Sequence, residues 1–300
     1  MADPTVSLQQ LRTGVGPHIL LANGFLSQDV SGWNKWRRLV NERYPENPVT
    51  RVRWEAQALE SLKPLVAFWD TEGDPSKVID EAARQISTSA RQAGRIMKHV
   101  GEQARKGTSL QDALRGAPRP DMPAPGIIVE APAKWVVARQ RADATGVAVA
   151  DAIANTEGQV FSLLGFSLGA RVMATAALTL AERGVTDKLE DVHLIGAAIN
   201  RSEKWEPMVN AVTNGIWNYY SRNDSVLNYL YRTAEAGAVA FGLAGMGLSS
   251  TKAHDVDVSA LVTGHRRYLP NISLEPSISL EPNASLESNI SLEPNFFLER

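Results

Sequence analysis

Ser167, Asp224 and His265 are the residues whose types and order could do chemistry together. Serine alone is a poor nucleophile: a neutral imidazole must take its proton, and a carboxylate must fix the imidazole tautomer and stabilise the imidazolium that forms. Such a set carries out acyl transfer through a covalent serine intermediate. It calls for no cofactor and no metal, and none is expected.

The serine sits in Gly165-Phe166-Ser167-Leu168-Gly169, a G-x-S-x-G pattern. An apolar run from Val160 to Leu164 leads into it, and an alanine- and leucine-rich helical stretch follows to Arg183. Strand, tight turn and helix in that order put the hydroxyl at the apex of a strained turn, where small flanking residues are needed. The Leu168 amide and the start of the helix dipole then point at the same place. A bare G-x-S-x-G is a weak pattern, and a serine there can equally cap a helix in any α/β protein.

The elements that must position this turn follow in chain order. His18 to Ala22 reads as a buried parallel strand ending in Asn23-Gly24-Phe25-Leu26, and the Phe25 or Leu26 amide is the candidate second oxyanion donor. No strand is expected before His18, which leaves no place for additional antiparallel strands. A helix is expected from Gly32 to Tyr44 and a strand from Val49 to Trp54. Beyond the serine come a strand from Asp191 to Ile199, a helix from Glu203 to Val212 and a strand from Ile216 to Ser221. That alternation predicts an α/β fold, a mostly parallel sheet wrapped by helices.

Asp224 lies in Ser221-Arg222-Asn223-Asp224-Ser225, just past a strand, where a triad acid belongs; its alternative role is to cap the helix starting near Ser225. A last strand is expected from Val256 to Ala260. His265 follows it and is preferred as the base over His254, which this reading places before the strand. His193, inside a strand, reads as structural, and His99 as a solvated helix residue.

Residues 55–158 exceed what the minimal fold requires. Apolar positions from Val78 to Val100 recur at three and four, which predicts a long amphipathic helix. Its other face is basic, with Lys77, Arg84, Arg91, Arg95, Lys98, Arg105 and Lys106 against Asp80, Glu81 and Glu102. A core-facing helix with a solvated charged face is the preferred reading of this pattern; a lid that covers an acyl group, or peripheral membrane contact through the basic face, is the alternative. Proline-rich residues 117–126 cannot be helical, and a second helix is expected from about Ala133 to Asn155. The glycine-rich Phe241 to Leu248 reads as a loop or loosely packed helix, not a phosphate cradle.

A net charge of -2 in 300 residues gives no electrostatic case for nucleic acid. Absence of cysteine excludes disulfides and thiolate catalysis. No basic-then-apolar leader and no apolar run near the roughly 18 residues of a membrane span are visible. A cytoplasmic protein is therefore expected, with signal-independent export left open. The C-terminal hexads at 272, 278, 284 and 290, such as Ile-Ser-Leu-Glu-Pro-Asn, predict an extended, mobile tail over 271–300.

Gly-Phe-Ser-Leu-Gly-Ala-Arg, Val-His-Leu-Ile-Gly-Ala-Ala, Tyr-Ser-Arg-Asn-Asp-Ser-Val-Leu and Gly-His-Arg-Arg-Tyr, with the earlier Val-Arg-Trp-Glu at 52–55, form an ordered series over about 18–270. In these motifs the chain resembles the α/β-hydrolase family of the eukaryotic transmembrane and coiled-coil domain proteins and their bacterial relatives. The resemblance implies Ser167, Asp224 and His265 as triad; unlike the eukaryotic members, the chain has no membrane span near its middle, and it is taken as a soluble member of bacterial type. The expectation is thus an α/β-hydrolase domain over 1–270, with Leu168 and Phe25 amides as oxyanion hole and a small-molecule or lipid ester as substrate. A non-catalytic binding module on the same scaffold, or an acyltransferase using the same triad, is the alternative.

Overall fold

The structure is a computed structural model, and it describes residues 6–24, 32–54 and 125–275. Within it, β1 (Ser7–Arg12), β2 (His18–Ala22), β3 (Val49–Arg53), β4 (Phe161–Phe166), β5 (Leu189–Ile195), β6 (Val212–Tyr220) and β7 (Ala253–Asp257) make one sheet. Their spatial order is β1-β3-β2-β4-β5-β6-β7. Every neighbouring pair is parallel except β1 with β3.

That exception corrects the expectation that no strand precedes His18. Ser7 lies opposite Arg53 and Gln10 opposite Thr50 in an antiparallel edge pair. The strand's side chains are mostly exposed, so it shows no inward-outward alternation. An edge strand held by backbone pairing with little burial leaves no periodic signal to read.

The sheet separates two apolar layers. Leu20, Ala22, Leu163, Val192, Leu194 and Ile216 face α2 (Pro125–Ala154) and α3 (Leu168–Glu182). Alternate residues of the same strands, Ile19, Leu21, Leu164, Ile195 and Tyr219, face α1 (Gly32–Arg43) and the C-terminal helices. Period-two alternation with both sets apolar is what a sheet covered on both faces requires.

α2 starts at Pro125, eight positions before the expected Ala133, since proline is well tolerated where an N–H would lack a partner anyway. It belongs to the packing of the sheet: Trp135, Ala138, Ala142, Val149, Ala150 and Ile153 are buried in the layer it shares with α3. Arg171 of α3, buried, holds Asp143 of α2 at 2.6 Å and Glu203 at 3.1 Å, with its guanidinium over the Trp205 ring. The predicted insertion therefore gives its last helix to the body. The amphipathic helix from Val78 to Val100 and His99 lie outside the described residues.

Other boundaries move for local reasons. The expected helix from Glu203 to Val212 is a short 3-10 turn, Glu206–Asn210, with Pro207 supplying no donor, and Val212 begins β6. β5 stops at Ile195 because Gly196 turns out at φ +50, where a Cβ would meet the Tyr268 ring at 2.9 Å. Phe241 to Ala244 is one helical turn, α4, followed by a loop whose Met246 amide is held by Asp255. β7 begins at Ala253, three residues early, and His254 lies within the strand with its ring stacked on Trp217.

The tail is anchored at its start. Ile272 and Leu274 of the first hexad are buried, which corrects the expectation of a tail mobile from 271. Alternation of Ile and Leu with Ser and Glu gives the hexad an apolar side, and the Glu275 amide donates to the Tyr219 hydroxyl at 2.6 Å. Arg38 donates to the carbonyls of Leu269 and Ile272. The later hexads lie outside the described residues.

Candidate active site

Ser167 stands between the end of β4 and the start of α3 with φ 57 and ψ -122. A non-glycine residue at positive φ costs energy that the surroundings must offset. Here they do so with hydrogen bonds: the Ser167 amide donates to Ile195 O at 2.9 Å, and its carbonyl accepts from Ala170 at 3.1 Å and Ala198 at 3.2 Å. The flanking glycines are required by close approach. A Cβ on Gly165 would stand 2.5 Å from Ala170 Cα, and one on Gly169 2.2 Å from Ala22 O.

The serine is 4% exposed and its Oγ meets His265 Nε2 at 2.9 Å. His265 Nδ1 meets Asp224 Oδ2 at 2.7 Å. Both of these partners are buried, His265 at 3% and Asp224 at 0% exposure. The three side chains come from turns at the carboxyl ends of β4, β6 and β7, so parallel strands deliver them to one edge of the sheet.

The two carboxylate oxygens of Asp224 have separate partners. While Oδ2 faces the imidazole, Oδ1 accepts the Leu227 amide at 3.0 Å, capping a π-helix over Val226–Tyr231. Ser221 supports the same turn, donating its hydroxyl to Val262 O at 2.7 Å and so tying the acid's loop to the segment before His265. The imidazole packs against the Phe166 ring with centroids 5.0 Å apart.

Leu168 is the first residue of α3, and the N–H groups of a helix's first turn have no partner within the helix. Phe25 lies outside the described residues, but Gly24 before it is in place: a Cβ there would stand 2.8 Å from Ser167 Cβ and 3.3 Å from its Oγ. The loop is fixed by Asn23, whose carbonyl accepts Trp54 Nε1 at 3.0 Å and whose side chain accepts Trp36 Nε1. Gly24 was legible only as part of a motif, because its contact with the serine depends on strands distant in sequence.

Other histidines stand apart. His193 is fully buried in β5 in a directional chain. Tyr44 donates to Asp191 at 3.1 Å and so receives His193 Nε2–H at 2.8 Å, leaving Nδ1 to accept Tyr219 at 3.1 Å. Burial, then the Arg43 charge, pushes the His193 pKa down to about 3, so the ring is neutral as this arrangement requires. His18 is half-buried against Thr50 Oγ1 at 2.8 Å. His254 is exposed on β7 and is not part of the cluster.

A mostly parallel sheet, with a serine at positive φ between strand and helix and an acid and a histidine after later strands, defines an α/β-hydrolase fold. Residues 126–274 match the family described as "Protein of unknown function (DUF726)". The chain is 37% identical over 137 residues to an uncharacterized membrane protein of Schizosaccharomyces pombe, covering 45% of this chain and 24% of that protein. It is 34% identical over 142 residues to an uncharacterized membrane protein of Caenorhabditis elegans, covering 45% of this chain and 22% of the relative. A probable lipase of Saccharomyces cerevisiae is 30% identical over 150 residues, 48% of this chain and 13% of that protein. The likeness thus spans a quarter or less of each relative's length.

A dienelactone hydrolase-like promiscuous phosphotriesterase from metagenomic libraries aligns over 84% of this chain and 82% of its own, with a TM-score of 0.32 and 10% identity. At that score the likeness adds nothing to the strand order above. Among the described residues no helix is long and apolar enough to cross a membrane, whereas two of the relatives are named membrane proteins.

Proposed function

We propose that the chain is a serine hydrolase of carboxyl esters, with lipid or other acyl esters as the preferred class. One observation carries the reading: the unbroken contact from Ser167 Oγ through His265 to Asp224, held away from water. In the first half-reaction, Ser167 Oγ attacks the ester carbonyl as His265 Nε2 takes its proton, and the Leu168 and Phe25 amides hold the oxyanion. The imidazolium, stabilised by Asp224, then returns that proton to the leaving alkoxide. Water repeats the sequence on the acyl-enzyme and releases the acid.

The acyl preference is supported by the length of chain between β3 and α2 and its amphipathic pattern, and by the name of the yeast relative. In this reading 1–270 is the hydrolase body, the segment preceding α2 is its lid, and its basic helix contacts a membrane surface peripherally. Cytoplasmic residence belongs to the same proposal.

Hydrolysis of p-nitrophenyl esters from acetate to palmitate by wild type, Ser167→Ala and His265→Ala tests it. Activity lost in both variants is the expected result, and the best chain length sizes the acyl pocket. Equal rates in all three proteins would sink the reading. A folded wild type that neither turns over ester nor reacts with a fluorophosphonate would favour a binding module on the same scaffold.

A further inference from the structure

The first C-terminal hexad is held mainly by contacts that the hexad itself supplies. Ile272 and Leu274 are buried in the layer that contains Trp36, Leu39 and Tyr219, while Ser273 between them is exposed. Arg38 of α1 donates to the Ile272 carbonyl, and the Tyr219 hydroxyl of β6 accepts the Glu275 amide at 2.6 Å. The Ser273 hydroxyl reaches Glu42 Oε2 at 3.4 Å, and Glu42 holds the Arg38 guanidinium at 2.8 and 2.9 Å. A track between α1 and β6 thus reads an isoleucine, a serine, a leucine and the backbone around them. Only the Ile272 amide on Tyr268 O and the Arg38 bond to Leu269 O, both at 3.1 Å, involve the chain before the hexad.

The tail repeats what the track reads. Ile278-Ser279-Leu280-Glu281 and Ile290-Ser291-Leu292-Glu293 match Ile272 to Glu275 at every position. In the third copy, Ala284-Ser285-Leu286-Glu287, alanine stands in place of isoleucine. We propose that the track is an acceptor for the Ile-Ser-Leu-Glu motif, and that the second and fourth hexads of the same chain are its alternative occupants. The proposal stands apart from the hydrolase reading.

The apolar area offered by the first, second and fourth copies is the same, so fit does not choose among them. Covalent adjacency does. Seating the second hexad loops out one repeat and lowers its occupancy about fifteenfold, and the fourth, three repeats away, is disfavoured about 75-fold by the same closure entropy. The third copy lies nearer than the fourth but buries much less apolar surface, and it should not dock.

The absence of cysteine allows a single reactive pair to be placed at will. In the full chain, Glu42→Cys is combined with Ser273→Cys, Ser279→Cys, Ser285→Cys or Ser291→Cys, and intramolecular cross-linking by a short bismaleimide is timed by mass. Ser273→Cys, already beside position 42, is the reference. A simple tether makes the rate fall steadily along the series, Ser291→Cys being about twofold slower than Ser285→Cys. Motif docking inverts that last pair, and Ser291→Cys is expected to react about fivefold faster than Ser285→Cys. Adding Ile290→Ser and Leu292→Ser should return Ser291→Cys to the slower rate. Emptying the first hexad with Ile272→Ser and Leu274→Ser should speed Ser279→Cys about tenfold, since its competitor has left. A steady fall along the series overturns the proposal even where the emptied variant does not fold. Cross-linked dimers in place of the intramolecular product would give the track to a second copy of the chain and overturn the assignment to this one.

Discussion

Asp224 splits its carboxylate between His265 Nδ1 at 2.7 Å and the Leu227 amide at 3.0 Å. Asp224→Asn retains a cap oxygen while losing the charge that favours the imidazolium. Ester turnover is expected to fall about 10³-fold or more. The thermal transition should move by no more than about 1 kcal/mol of stability, the scale of a retained cap. A large loss of stability with turnover preserved would make the residue a cap and nothing else.

Strain at Ser167 gives a second, opposed pair of effects. At φ 57 glycine is comfortable and alanine is not, so Ser167→Gly should be about 1 kcal/mol more stable than Ser167→Ala by urea unfolding. Both should lack ester turnover. Equal stabilities would mean the backbone relaxes in solution and the turn stores no strain.

Gly24 faces the serine where a Cβ would intrude to 2.8 Å from Ser167 Cβ. Gly24→Ala must displace either the loop carrying Phe25 or the nucleophile, and misplacement of about 1 Å costs on the order of 100-fold in rate. The expected signature is a loss in kcat with unfolding altered little. Full activity in Gly24→Ala would separate this loop from the reaction.

His193 predicts an acid dependence of stability rather than of turnover. Its pKa is about 3 folded against 6.5 for the free side chain, so the unfolded chain binds a proton first as pH falls. Stability present above 6.5 is therefore lost between 6.5 and 3, at about 1.4 kcal/mol per pH unit. Asp191 in the same network has the opposite sign: burial raises its pKa, so it weakens the fold as pH rises above 3.8. Urea midpoints of wild type and His193→Gln should converge on acidification, and parallel curves would contradict the assignment.

Much of the fold was readable because burial wrote it into local pattern. His18 to Ala22 and the run into Gly165 are buried on both sheet faces, so their apolar character appears as continuous runs. β1 escaped because its edge position buries little. β5 was read four residues too long because Gly196 to Ile199 is as apolar as the strand; only the Tyr268 ring behind Gly196 forces the chain out. The first hexad was read as free for the same kind of reason, since its partners, Arg38 and Tyr219, are remote in sequence.

The sequence by itself determined the identities and order of Ser167, Asp224 and His265 and placed each after a strand. Those features depend on local propensity and chain order alone. Tertiary structure decided that the three side chains meet, that Asp224 caps and pairs at once, that Gly24 abuts the serine and that the Tyr268 ring stands edge-on to the imidazole. Such contacts arise where parallel strands far apart in the chain end at one sheet edge, and no local pattern encodes a distance between them.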